Sequence, residues 1–209
     1  NNIASGIKAF GDGIYVASKR SISGADYGIM SKFNRITGLL IWETSIRLDT
    51  DEFILGPIND FEYVPGDDAL LVVGNKISGI IGAPPFSINQ YASYVLKIDC
   101  QTGNLIFYNQ YPFKGRNFFF FFIRHPNPVN GSHPYYIAGF KNPEGFVSNP
   151  TTIDRIFLLN MDKNGDINFG REYNSSVAPT FFDDEFGRGL VPLDNGNLLL
   201  VGNDGPNGD

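Results

Sequence analysis

The sequence predicts an all-β chain built from one four-stranded antiparallel unit repeated about three and a half times. Three observations predict it. Glycines in matching polar turns recur at a fixed spacing. A second set of short apolar segments, most ending in a glycine, recurs at the same spacing. No segment of useful length carries a sustained helical period.

The first marker is an apolar strand, a polar turn with glycine, and a second strand. It occurs at Ile29–Glu43, Tyr94–Tyr108 and Ile156–Phe169, and its glycines Gly38, Gly103 and Gly165 lie 65 and 62 residues apart. Glycine supplies the positive φ that a tight hairpin needs. The second marker is Ile14–Ser18, Leu70–Gly74, Tyr135–Gly139 and Leu198–Gly202, with Gly74, Gly139 and Gly202 spaced by 65 and 63 residues. Two independent markers sharing one period, 62–65 residues, argue against chance agreement.

Each unit then reads as strands A to D. Strand A is Ala4–Phe10, Ile58–Val64, Phe118–Ile123 and Phe186–Val191; strand B is the second marker; C and D are the arms of the glycine hairpin. Arranged radially, such units are the blades of a β-propeller. One incomplete propeller domain is expected, with blades over about residues 1–48, 53–113 and 117–174 and a half blade over 185–209. A ring takes about 4–8 blades, and an open one exposes unpaired strand edges. The remaining blades are expected from missing sequence or from another chain, with missing sequence favoured.

Composition agrees. Charged residues make up 18% of the 209, against about 25% in an average domain, while Gly (24), Pro (13) and Phe (19) are plentiful. Short strands joined by turns account for that balance. A net charge of −6 and the lack of a Lys/Arg cluster exclude non-specific nucleic-acid binding. The longest apolar run, Phe118–Ile123, is strand-sized, so no membrane insertion is expected. Cys100 is the only cysteine and cannot form an intrachain disulfide or a thiolate metal cluster. It is expected to be an unreactive thiol at the start of a turn.

The hairpins resemble the quinoprotein-like (PQQ-like) propeller repeat, in which an Asp-x-x-Thr-Gly turn leads into a strand carrying Trp. Asn34-Arg35-Ile36-Thr37-Gly38 with Trp42 is the closest copy; Asp99–Gly103 with Phe107 and Asp162–Gly165 with Phe169 are looser. The resemblance covers most of the chain and implies a fold more than a function. Quinoprotein dehydrogenases carry a vicinal cysteine pair and a calcium site, and the single cysteine rules out the pair. Similar repeats occur in bacterial surface and scaffold proteins, which implies a scaffold role.

A site is expected in the long loops between strands B and C and between D and A, at one end of the blades. The B–C connections are Lys19–Gly28, Asn75–Ser93 and Lys141–Arg155, and they carry Tyr27, Phe86, Tyr91 and Phe146, aromatics suited to sugar stacking. The D–A loops carry Asp49, Asp51 and Glu52 in one repeat and Asp183, Asp184 and Glu185 in another. These are solvated loop charge, oxygen ligands for a hard cation, or paired carboxylates for glycoside cleavage. Asp162, Asn164 and Asp166 resemble the opening of a Ca2+ loop, but the sixth and twelfth places hold Ile167 and Tyr173 instead of Gly and Glu. They also align with two ordinary hairpin turns, and no cofactor other than a possible Ca2+ is expected. His125 and His133 have no evident third partner for zinc. The Phe118–Phe122 run is expected in the core.

No nucleophile elbow, metalloprotease helix, P-loop or dinucleotide fingerprint is present. The leading expectation is a non-catalytic propeller module for protein–protein or cell-surface interaction, within a larger extracellular or envelope protein. The alternatives are a carbohydrate-binding propeller with a glycan partner, and a glycoside hydrolase or lyase using the loop acids.

Overall fold

The structure is a computed structural model that describes residues 2–22, 25–45, 58–81, 88–111, 116–126, 133–142, 155–173 and 186–203. Every regular element among them is a strand. Strands β1 (Asn2–Phe10), β2 (Gly13–Ile22), β3 (Ala25–Asn34) and β4 (Leu40–Ser45) form the first sheet. Strands β5 (Ile58–Val64), β6 (Ala69–Ile81), β7 (Ile88–Asp99) and β8 (Leu105–Tyr111) form the second. The third holds β9 (Arg116–Arg124), β10 (Tyr135–Asn142), β11 (Arg155–Met161) and β12 (Ile167–Tyr173); β13 (Phe186–Pro192) and β14 (Leu198–Asn203) make a two-stranded hairpin. Neighbours in sequence are neighbours in each sheet and all pairs are antiparallel.

The repeat is exact enough to preserve irregularities. All four β-hairpins of the A–B type carry a bulge at one register, between Ala4/Gly6, Ile58/Asp60, opposite Ala138/Gly139, and between Gly187/Gly189. The glycine hairpins carry a second, beside Lys32/Phe33, Lys97/Ile98 and Asn160/Met161. A bulge re-aims the side chains that follow it and increases local twist. In β9 it explains how Phe119 and Phe122, three apart, both reach the same buried cluster.

The turns are built alike because one Asn or Asp side chain caps each. Asn34 Oδ1 accepts the amides of Ile36 (2.9 Å) and Thr37 (2.8 Å); Asp99 Oδ1 accepts those of Gln101 (3.0 Å) and Thr102 (2.8 Å). Gly38, Gly103 and Gly165 take φ of 70°, 73° and 85°, which a side chain would strain.

The sheets stack in chain order, first on second, second on third, third on the hairpin, through three apolar clusters. Tyr15, Ala17 and Met30 meet Phe61, Val72 and Leu96; Leu71, Val73 and Val95 meet Phe119, Ile137 and Leu159. The second sheet is therefore apolar on both faces, as a sheet covered on both sides must be. Of the Phe run in β9, Phe119 and Phe122 lie in one cluster and Phe121 packs against the next, in the core as expected.

Candidate functional site

Several polar side chains of the repeats join one sheet to the next. Trp42 Nε1–H donates to the Cys100 carbonyl (3.0 Å), and the Thr44 hydroxyl donates to the Gly103 carbonyl (2.8 Å). One repeat later the Tyr111 hydroxyl donates to the Gly165 carbonyl (2.6 Å) and the Asn109 amide to the Asn164 carbonyl (3.5 Å). The outer strands of the first and second sheets thus clasp the glycine turns of their successors. Lys97, buried, pairs with Asp67, which also takes Lys163 Nζ of the third sheet at 2.6 Å. The hydrogen bonds from Lys163 and Lys97 hold the Asp67 carboxyl below its ordinary range.

The residues singled out by motif fall into the same scheme. Asp162 Oδ1 accepts the amides of Asn164 (2.7 Å) and Asp166 (2.9 Å), so it closes the turn as Asn34 and Asp99 do, with the second amide four residues on instead of three. His125 is buried with Nε2 3.2 Å from the Asn197 carbonyl, and the His133 carbonyl accepts Asn160 Nδ2 at 2.7 Å. Cys100 is buried beside Tyr15, and burial pushes its thiol up to about 11. Among the described residues no three His, Cys, Asp or Glu gather in a way that could hold a metal ion.

Two of the connections read as long loops are largely strand. Lys19–Ile22 pairs with Ala25–Gly28, and the ladder from Asn75 to Ile81 pairs with Ile88 to Ser93, so backbone pairing simply continues past the apolar core. Tyr27 therefore lies in β3 opposite Arg20, half-buried, and Tyr91 lies in β7 opposite Ile77. Phe86, Phe146, Asp49, Asp51, Glu52, Asp183, Asp184 and Glu185 lie outside the described residues, as does the side chain of Tyr91.

What the structure adds is a pair of apolar faces at the two ends of the stack. On the first sheet, Gly6, Lys8 and Phe10 meet the second sheet, and the strand alternation turns Ile7 the other way. Ile7 opposite Val16, and Ile14 beside Phe33 and Leu40, form apolar rows on that outward face. Its rim carries the Arg20–Glu43 ion pair at 2.9 Å. Ile7 is 68% exposed, whereas its register equivalents Phe61 and Phe122 are 0% exposed. At the other end, Leu199 and Val201 are 49% and 44% exposed, whereas Leu71 and Val73, their equivalents in the second sheet, are 0% exposed.

The glycine turns tell the same story. A Cβ on Gly103 would sit 2.8 Å from Trp42, and one on Gly165 would sit 2.8 Å from Asn109. A Cβ on Gly38 would meet nothing within 4 Å. Sequence reading missed these faces because it asked which loops carry polar chemistry. The available signal was apolar residues at successive strand positions (Tyr15-Val16-Ala17, Leu198–Val201), which mark a strand built to be covered on both sides.

The chain matches no protein-family model, and no curated protein matches it in sequence.

Proposed function

We propose that the chain is a non-catalytic interaction module, a segment of a β-propeller whose sheets are successive blades, and that its contact surfaces are the outer faces of its end sheets. The observation that carries this reading is the exposure of side chains whose register equivalents are wholly buried elsewhere in the same chain. An apolar face rimmed by charge is built to be covered, by further blades of the same polypeptide or by another macromolecule. The chain-order stacking, the repeated clasp and the recurring bulges support the propeller reading, and the quinoprotein-like turns fit it. A place in a larger extracellular or envelope assembly belongs to the same proposal.

Binding of an apolar fluorescent dye tests it. The folded chain is expected to take up bis-ANS at micromolar concentrations, and Ile7→Asp combined with Val201→Asp is expected to remove most of that uptake with the far-UV circular dichroism unchanged. Tyr27→Ser is expected to leave it intact. A folded protein that takes up no dye, or that loses uptake only with Tyr27, would overturn the reading.

A further inference from the structure

We propose that the Asn164–Gly165 peptide bond is a site of spontaneous covalent modification, the deamidation of Asn164, which the second sheet holds in check until its joint with the third sheet opens.

Of the three glycine turns, only the third puts asparagine before its glycine; the first and second have Thr37 and Thr102 there. An asparagine followed by glycine brings a backbone nitrogen within reach of its own side-chain carbonyl carbon, because glycine has no Cβ to obstruct the approach. The reaction needs only water. The Gly165 nitrogen attacks Asn164 Cγ, the Cγ–Nδ2 bond breaks, and Nδ2 leaves as ammonia with the proton that the Gly165 nitrogen gives up. Water then opens the five-membered imide. Cleavage between the nitrogen and Cγ leaves aspartate. Cleavage between the nitrogen and the backbone carbonyl carbon leaves isoaspartate, whose main chain runs through the former side chain.

The first step requires rotation about the Asn164 Cα–C bond, so that the Gly165 nitrogen turns toward Cγ. The groups that this rotation moves are held. Gly165 N–H donates to the Asp162 carbonyl (3.2 Å), and Asn164 N–H donates to Asp162 Oδ1 (2.7 Å). Asn164 Nδ2, the leaving group, donates to Asp162 Oδ2 at 3.3 Å. From β8 of the second sheet, Asn109 Nδ2 donates to the Asn164 carbonyl (3.5 Å) and the Tyr111 hydroxyl donates to the Gly165 carbonyl (2.6 Å). Gly165 is buried and closely packed: a Cβ there would lie 2.8 Å from Asn109 Nδ2 and 3.1 Å from the Tyr111 hydroxyl. The bonds to Asp162 lie within the turn and survive a parting of the sheets, whereas those from Asn109 and Tyr111 do not. The guard therefore belongs to the joint.

The product does not fit the place that asparagine held. A carboxylate at 164 offers no N–H to Asp162 Oδ2 and sets a further negative charge in the turn that already holds Asp162 and Asp166. Isoaspartate adds a main-chain methylene and draws the Gly165 carbonyl away from Tyr111. A joint that has opened and been modified closes less well, so the chain keeps a record of the opening.

Incubation at mildly alkaline pH followed by peptide mapping tests this, since each event raises a peptide's mass by about 1 Da. The folded chain is expected to modify Asn164 at least about tenfold more slowly than the chain in urea. Tyr111→Phe combined with Asn109→Ala, with the circular dichroism unchanged, is expected to raise the folded rate by roughly tenfold through loss of two hydrogen bonds. Asn195–Gly196, in the turn between β13 and β14, is the internal control and is expected to keep its rate. Asn164→Asp, which reproduces one product, is expected to unfold at a lower urea concentration than the wild type.

A folded wild-type chain that modifies Asn164 as fast as the chain in urea overturns the proposal, as does a chain that shows no mass gain there even in urea. So does a folded double variant whose rate at Asn164 is unchanged, or one in which Asn195 accelerates equally, because that reports general opening and not a local guard. An Asn164→Asp chain as stable as the wild type removes the record. Should the double variant lose its circular dichroism, Tyr111→Phe alone, which deletes one oxygen, repeats the test by the same criteria.

Discussion

The second sheet and the first sheet are folded from the same repeat, yet only one of them is covered on both sides. In the second, Phe61 packs on the first sheet while Leu71 and Val73 pack on the third, and all three are fully buried. In the first, Tyr15 and Ala17 are buried against Phe61 and Val72, while Ile7 on the opposite face meets solvent. The difference is one of neighbours and not of strand chemistry. It teaches that burial in a stacked repeat belongs to the joint between sheets, so identical register positions can carry very different energies.

Large-to-small substitution at matched positions should break the comparison most sharply. Phe61→Ala is expected to cost about 3–5 kcal/mol in urea unfolding, since it removes a fully buried ring and leaves a cavity between two sheets. Ile7→Ala is expected to change the monomer's stability by no more than about 0.5 kcal/mol. Equal losses at the two positions would show that the outward face is covered within one copy.

The glycine turns give a smaller contrast. Both Gly38 and Gly103 hold a positive φ, so alanine is expected to cost about 1–2 kcal/mol at either. At Gly103 the new methyl would also press on Thr44 Oγ1 at 2.7 Å and on Trp42, which is expected to add ~1–3 kcal/mol of overpacking. Denaturation midpoints of the two variants measure the difference.

The smallest effect concerns the joint between the first two sheets, where Cys100 is enclosed. Burial raises its thiol from an ordinary value of 9.0 to about 11, so the folded state holds the proton more tightly than the unfolded state does. Stability linked to this group is complete below pH 9 and is lost as the pH rises through about 11. Cys100→Ala is expected to flatten that part of the stability profile, and reaction of the native thiol with DTNB at pH 8 is expected to be slow until the protein unfolds.

Much of the fold was legible beforehand, for reasons particular residues make clear. Gly38, Gly103 and Gly165 sit in turns that only a residue free to take positive φ closes cheaply, and alternating apolar residues around them mark strands. The turn reading of Asp162–Asp166 followed from the same alignment and agrees with the capping of backbone amides by Asp162. The sequence predicts Tyr27 and Tyr91 on loops because their stretches lie between the two repeating apolar markers, whereas backbone pairing extends β2–β3 and β6–β7 through them. A ladder needs only backbone groups, so it can outrun the apolar pattern that announces it.

By itself, then, the sequence determined the strands, the turns, their period and the absence of any familiar catalytic motif, all of which are local properties of residue type and spacing. Only the tertiary structure decided which apolar strand faces are covered. Ile7 and Phe61 are both apolar residues at the same register, and composition assigns them the same place in a core. Their difference is set by whether another sheet lies across them, a long-range contact that no local pattern encodes.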